Sequence, residues 1–482
     1  MNDTICALAT AVPYAAIPSQ PQVIMNDTIC ALATAPGGAL GIIRVSGPHA
    51  FTIVSTLSSF DCATAAANTV HFARLYASPT LNDTPCDPLP QHRPLLDEVL
   101  LSVFRAPHSY TGEDSVEISC HGSRYIINKV LELLIQQGCR MARPGEFTQR
   151  AYLNGKMDLS QAEAVADLIA STNKATHNLA LSQLRGSITS ELTRLREQLL
   201  KLTSLLELEL DFSDHEDLEF ADRAELLSLA QTIDAHINRL ARSFETGQAL
   251  KQGIPVAIVG KTNVGKSTLL NALLKDDRAI VSDIHGTTRD TIEDCIDIRG
   301  ISFRFIDTAG IRQTTDQVEQ IGIQRTYQAI AKARIVLWLI DDAPDRTEIL
   351  DMAARCQGRA LIVVQNKIDK RTIAYDGQCV KISAKYGQGL DQLEAAIFAA
   401  ADIPEISETD IVVSSARQYH ALVNAQNDLS RVISSLQENL SADLVSEDLN
   451  LVLDSLSEIT GQGRIVPTEV LNNIFKNFCV GK

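Results

Sequence analysis

The sequence predicts a multidomain α/β and α+β protein: an α+β N-terminal domain, a discontinuous helical domain, and an α/β domain inserted between the two helical halves. Prolines are absent between Pro144 and Pro255 and again between Pro404 and Pro467. Long helices need such stretches, because an interior proline costs about 3 kcal/mol. Short β-rich runs separated by Gly and Pro clusters fill the first part of the chain. A strand, a glycine-rich loop and a helix then follow one another from Val256 to Leu274. With 482 residues the chain has room for about three domains of about 150 residues each.

The elements follow in order. Met1–Ala11 reads MNDTICALATA, and Met25–Ala35 repeats it letter for letter. The stretch between carries no Lys or Arg, which argues against a secretory signal. Residues 1–24 are therefore expected to be a disordered extension or start-site artefact, with the working domain beginning near Met25. In the α+β domain, 25–142, Ala39–Val45 and Val116–Cys120 read as strands and Ile126–Gln137 as a helix. The first helical stretch, 143–250, repeats apolar residues at helical spacing: Leu159, Ala162, Val165, Ala166 and Ile169, then Leu195, Leu199, Leu202 and Leu206. The α/β domain is expected at 251–402 and the second helical stretch at 403–482. The acidic run Glu207–Glu219 reads as a solvated helix end and loop.

Composition narrows the function. A net charge of −16 excludes a broad basic surface for gripping nucleic acid, so any RNA contact would use a local basic patch or a partner protein. No apolar run is long enough to span a bilayer. The ten cysteines are scattered without a C-x-x-C pair, a pattern of reduced cytoplasmic thiols serving mostly as small core residues.

Five ordered motifs then fix the ligand of the α/β domain. They are Gly260-Lys261-Thr262-Asn263-Val264-Gly265-Lys266-Ser267, Gly286-Thr287-Thr288-Arg289-Asp290, Asp307-Thr308-Ala309-Gly310, Asn366-Lys367-Ile368-Asp369 and Ser383-Ala384-Lys385. The first lies between the strand Val256–Val259 and a helix over Ser267–Leu274, the context a P-loop requires. Gly260 and Gly265 let backbone N–H groups close on phosphate, with a helix N-terminus behind them. Lys266 is expected on the β- and γ-phosphates and the Ser267 hydroxyl on Mg²⁺. Thr268 follows Ser267 in the expected binding set, and Thr288 is the second expected Mg²⁺ ligand. Asp307, ending a strand over Phe303–Ile306, holds the metal directly or through water, and Gly310 offers the γ-phosphate a backbone donor. Asp369 can accept two hydrogen bonds from a guanine edge, which adenine cannot supply. These readings make the inserted domain a Ras-like P-loop GTPase. Ile311 follows Gly310 where many switch GTPases place a water-orienting glutamine. Glu319, twelve residues after Asp307, is the candidate for that role instead.

From Met25 onward the chain resembles the tRNA modification GTPase family MnmE, also called TrmE. The resemblance rests on Pro107-His108-Ser109-Tyr110-Thr111-Gly112-Glu113-Asp114 and on Arg143-Pro144-Gly145-Glu146-Phe147-Thr148-Gln149-Arg150-Ala151. It extends through Asn154-Gly155-Lys156-Met157-Asp158-Leu159 and the ending Phe478-Cys479-Val480-Gly481-Lys482. It implies K⁺-stimulated GTP hydrolysis, with Asn263 ligating K⁺ and Ser282, Ile284 and Thr287 around it. Asp283 lies in the same nucleotide-binding loop, and Glu319 falls at the water-orienting position. A fixed cation beside the phosphates would stabilise developing charge. The resemblance also implies a folate-binding, dimerising N-terminal domain. Arg44, Glu117, Lys156 and Lys482 match its folate contacts, and Cys479 is a possible reactive thiol. The cofactors implied are Mg²⁺, K⁺ and 5,10-methylene- or 5-formyl-tetrahydrofolate. The partners implied are tRNA, a second copy, and the FAD-bearing flavoprotein MnmG (GidA). The reaction implied adds a carboxymethylaminomethyl or aminomethyl group to C5 of the wobble uridine.

The chain departs from the family pattern at Lys261-Thr262, at His121-Gly122-Ser123 and at Val480. A ribosome-assembly or signalling switch GTPase is the rival reading, but it leaves the folate positions and the cysteine tail without a role. A membrane-remodelling GTPase is disfavoured by the lack of a basic amphipathic segment.

Overall fold

The computed structural model describes residues 26–77, 93–211, 223–276, 294–306, 328–371, 377–403 and 410–461, together with 373, 375, 471, 474–476, 478 and 481. The chain divides into two compact units. One contains residues 1–166, 183–231 and 424–482, and the other contains 167–182 and 232–423.

The first unit opens with β1 (Ile29–Leu32) and β2 (Leu40–Ser46), followed by α1 (Ala50–Leu57). Strands β3 (Thr69–Tyr76), β4 (Leu95–Phe104) and β5 (Ser115–His121), helix α2 (Arg124–Gln136) and β6 (Arg140–Met141) follow. The strands form one sheet in the order β3-β4-β5-β2-β1-β6, antiparallel except where β1 and β6 run parallel. Side chains alternate across a strand. Ile43 and Val45 therefore enter a core with Val54, Val103, Ile118, Val130 and Leu134, and α1 and α2 supply Val54, Val130 and Leu134. Arg44, between the two core residues on β2, belongs to the other side, as does its β5 neighbour Glu117. Val70 and Phe72 on β3 and Leu100 on β4 are exposed apolar residues, and Phe72 pairs directly with Leu100.

Helices α3 (Glu146–Leu153), α4 (Leu159–Ala170), α5 (Lys174–Leu184), α6 (Ser187–Asp211) and α7 (Arg223–Gln252) follow. The α6 stripe is as expected, with Leu195, Leu199, Leu202 and Leu206 fully buried. Along α4 the expected stripe ends early. Leu159 and Ala162 are buried, but Ile169 is 45% exposed in the last turn. The last described residues fold back onto α3 and α4, where Leu471 and Phe475 share a cluster with Tyr152, Leu159 and Ala162. Gly145 has φ +67, and a Cβ there would stand 2.9 Å from the Phe475 carbonyl oxygen.

The second unit contains β7 (Ile254–Gly260), α8 (Lys266–Asp276), β8 (Asp294–Ile298), β9 (Ile301–Phe305) and β10 (Ile335–Ile340). Then come α9 (Arg346–Arg355), β11 (Ala360–Gln365), β12 (Val380–Lys381) and α10 (Leu390–Ala400). Its sheet runs β12-β11-β10-β7-β9-β8, parallel except for the β8–β9 edge. Strand β10 is buried along its whole length. Ile335, Leu337 and Leu339 belong to one core, and Val336, Trp338 and Ile340 to another. A central parallel strand covered on both faces reads as a continuous apolar run for this reason.

Two longer helices follow, α11 (Ala416–Gln437) and α12 (Ala442–Thr460), and α12 packs on α6. Among the described residues no helix is long and apolar enough to cross a membrane.

Candidate functional site

The nucleotide-type site forms where β7 ends and α8 begins. Gly260 has φ +151, and a Cβ there would collide with the Leu339 carbonyl of the neighbouring strand. Gly265 has φ +105, and its Cβ would collide with the Asn366 side-chain amide. Only glycine meets both demands. Asn263 also takes the left-handed conformation, φ +60, which Asn tolerates better than most residues. The Lys266 ammonium donates to the carbonyls of Gly260 at 2.6 Å and Lys261 at 2.9 Å, so it curls over the loop. Burial pulls its pKa below the ordinary lysine value, because desolvation disfavours the charged form. Val264 is buried beneath the loop. Ser267 and Thr268 fall in the first turn of α8, where the helix dipole favours an anion.

The base-recognition motifs are assembled against this loop. Asn366 is 3% exposed. Its amide donates to the Val264 carbonyl at 2.8 Å, and its side-chain oxygen accepts from the Ala384 N–H at 3.0 Å. One side chain thus ties the phosphate loop to the Ser383-Ala384-Lys385 motif. Lys367, with φ +62, donates through Nζ to the Asn263 carbonyl at 2.6 Å and to Asp341 Oδ2 at 2.7 Å. The Ser383 hydroxyl donates to Asp369 Oδ1 at 2.6 Å. That bond is the main reason the Asp369 carboxyl lies below its usual range. It fixes one oxygen while keeping the group a charged acceptor. Lys385 lies over the Tyr386 ring, 4.9 Å from its centroid.

The structure therefore brings together Asn263, Val264, Gly265, Lys266, Asn366, Lys367, Asp369, Ser383 and Ala384. Ser282, Asp283, Ile284, Thr287, Thr288, Asp307, Thr308, Ala309, Gly310 and Glu319 lie outside the described residues. The residues present fit a guanine nucleotide: two positions closed to any Cβ beside the phosphate position, a lysine above it, and an oriented carboxylate at the base position.

A second constellation lies in the first unit. Arg44 and Glu117 are direct cross-strand partners, with Arg44 Nε and Nη2 donating to Glu117 Oε1 at 2.9 and 2.8 Å. The pair is 17% and 24% exposed, more shielded than ordinary surface charges. The guanidinium lies 5.2 Å from the Tyr110 ring centroid and 5.5 Å from that of Phe147. Its Nη1 reaches the Gly481 carbonyl at 3.4 Å, which places Gly481 at the sheet. A Cβ on Gly481 would collide with the Leu32 carbonyl. Lys156 donates to the Pro107 carbonyl at 2.9 Å, and its stem packs beside Gly112. The 107–114 segment thus touches both Arg44, through Tyr110, and Lys156. Cys479 and Lys482 lie outside the described residues.

Sequence reasoning assigned no role to Tyr110, Phe147, Arg150 or Asp341. Tyr110 and Phe147 stand inside the quoted motifs, so an aromatic beside each motif's charged residues was the available signal. Arg150 is 1% exposed and pairs with Asp27, Glu113 and Glu146. It locks the start of β1, the 107–114 segment and α3 together. A buried arginine in a run of mixed charge gives no such signal by spacing.

Comparison with known proteins agrees with this geometry. The family model described as GTP-binding protein TrmE N-terminus matches residues 28–156, and the MnmE helical domain model matches residues 159–479. A tRNA modification GTPase MnmE of Phocaeicola vulgatus is 52% identical, covering 100% of this chain and 99% of the relative. Proteins of the same description from Bacteroides fragilis and Porphyromonas gingivalis are 50% and 46% identical across 100% of this chain, covering 100% and 98% of the relatives. Matched by family models over most of its length and by relatives about half identical across all of it, the chain belongs to the tRNA modification GTPase MnmE family, whose members hydrolyse GTP in tRNA modification.

Proposed function

We propose that this GTPase works with a flavoprotein partner of the MnmG type on the wobble uridine of certain tRNAs. The product carries a carboxymethylaminomethyl or aminomethyl group at C5. The observation that carries the proposal is the Arg44–Glu117 pair between two aromatic rings, with Gly481 against it. A carboxylate that can accept ring N–H groups, a guanidinium that can take a carboxylate, and flanking aromatic faces suit a pterin with an acidic tail. A bound 5,10-methylene- or 5-formyl-tetrahydrofolate would supply the one-carbon unit there. Glu117 and Arg44 would orient it, Lys156 and Lys482 would meet its anionic tail, and Cys479 is the candidate reactive thiol. A switch GTPase without modification chemistry has no use for this pair.

In the GTPase domain Lys266 binds the β- and γ-phosphates, and Ser267 and Thr288 hold Mg²⁺. Asn263, Ser282, Ile284 and Thr287 hold K⁺. Glu319 positions the attacking water, and Asp369 reads the guanine. The domain limits that go with this reading are 25–142 for the folate domain, 143–250 with 403–482 for the helical domain, and 251–402 for the GTPase. The exposed Phe72–Leu100 pair supports self-association through the N-terminal domain, since exposed apolar neighbours mark contact surfaces. A cytoplasmic site of action, where tRNA is, follows from the same reading.

Mass spectrometry of tRNA wobble uridines from cells lacking the protein tests the proposal. Loss of the C5 modification is expected, and unchanged modification would overturn it.

A further inference from the structure

Asp341 has no place in any of the nucleotide motifs, yet it holds the side chain that joins two of them. It directly follows β10, at the carboxyl end of a parallel strand, where ligands bind in open α/β sheets. The next strand is fixed alongside it, because the Asn366 N–H donates to the Ile340 carbonyl at 2.9 Å. Asp341 Oδ2 accepts from Lys367 Nζ at 2.7 Å, and the same ammonium donates to the Asn263 carbonyl at 2.6 Å. The carboxylate and the lysine are 32% and 34% exposed, so the pair is shielded more than a free surface ion pair.

We propose that Asp341 is a positioning residue for guanine-nucleotide binding: it aims the Lys367 ammonium at the Asn263 carbonyl and so holds the phosphate loop open in its left-handed bend. Three facts converge on this. Lysine has a flexible four-carbon stem with three donors, so its ammonium needs a second anchor to stay on one carbonyl. Both ends of the link are backbones already committed to positive φ, +62 at Lys367 and +60 at Asn263, and such backbone persists only where neighbours hold it. The adjacent acid, Asp342, faces elsewhere: it pairs with Arg371 at 3.1 Å and is 68% exposed. The two neighbouring carboxylates thus differ in partner and exposure, and of the two it is Asp341 that contacts Lys367. Asn263 is also the residue read above as a K⁺ ligand. The inference about affinity stands without that reading, and the consequence for cation dependence rests on it.

The test uses the full chain and a fluorescent GDP analogue, first in buffer without K⁺. Asp341→Asn is expected to weaken binding about tenfold, mainly through faster release, the scale of one hydrogen bond to a charged group. Asp342→Asn is expected to stay within about twofold of the wild type, the range of a solvent-exposed pair. Asp341→Glu, which keeps the charge, is expected to restore most of the affinity, and it stands in if the asparagine variant melts early. In a Lys367→Met background the Asp341→Asn change is expected to add nothing. Equal losses in the Asp341 and Asp342 variants, or an additive loss on top of Lys367→Met, would overturn the proposal, as would affinity within twofold in Asp341→Asn. Turnover is then measured against KCl. A raised K⁺ requirement in Asp341→Asn is expected, whereas equal wild-type rates in KCl and NaCl would remove the cation reading and leave the affinity result intact.

Discussion

Arg44 and Glu117 face each other across adjacent antiparallel strands, and both hydrogen bonds from the guanidinium converge on one carboxylate oxygen. Glu117 Oε2 receives neither of them. The arginine's remaining nitrogen, Nη1, turns to the Gly481 carbonyl. The pair is arranged to hold each member in place while leaving an acceptor for a ligand.

Removing that arrangement should separate the two activities. Glu117→Gln and Arg44→Ala are expected to weaken 5-formyl-tetrahydrofolate binding by about tenfold or more, the scale of a lost charge-assisted bond. GTP hydrolysis is expected to change little. Isothermal titration calorimetry checks the first effect and phosphate release the second, and full folate affinity in both variants would place that ligand elsewhere.

Glu319→Ala is expected to leave GTP binding intact while hydrolysis falls by about 10²-fold, the usual contribution of a positioned acid–base group. Single-turnover kinetics beside nucleotide titration separates the two. Lost binding would mean that the role of Glu319 is structural.

Gly265→Ala places a methyl group against the Asn366 amide at a φ of +105. The expected cost is about 1–3 kcal/mol of local strain, read as weaker nucleotide binding and a lower melting temperature. Gly387→Ala is the control. It also has positive φ, +72, but nothing lies within 4 Å of its Cβ, so its effect should be smaller.

Acid stability should report the buried charge network of the first unit. Burial acts to raise the Glu146 carboxyl, but Arg140 hydrogen bonds, the Arg143 N–H and the Arg140 and Arg150 charges outweigh it, and the pKa ends below its ordinary value. A depressed folded pKa stabilises the protein above the unfolded value, about pH 4.3. That stabilisation is lost as pH falls through the folded value. Glu146→Gln should therefore flatten the acid limb of a stability–pH curve. It should also destabilise the protein near neutrality by about 1–3 kcal/mol, since the fully buried Glu146 carboxylate accepts charge-assisted bonds from Arg140 and a bond from the Arg143 N–H. Chemical denaturation across pH measures both.

The α/β domain was legible because its signals are local. A phosphate loop is a strand, a turn and a helix in sequence, and the central strand β10 announces itself as an unbroken apolar run. The Asn366–Asp369 motif was readable for the same reason, since its two residues stand three apart. What spacing could not show is which side chains meet across the sheet. Asp341 is separated from Lys367 by α9 and β11, and nothing in the sequence between them marks the contact. The Arg44–Glu117 pair is likewise a matter of register: the strands were readable, but their pairing depends on which residues face each other across the sheet. The family resemblance, not spacing, drew attention to those two charges. The early end of the α4 stripe at Ile169 shows the converse, a helical period that continues past the part that is packed.

The seat of Gly481 has a practical side for anyone handling the protein. Its backbone lies close against Leu32, with its carbonyl facing Arg44, so bulk added beside it, a purification tag or fusion included, would crowd the arginine pair. Tags placed there are expected to lower folate affinity while sparing GTP turnover.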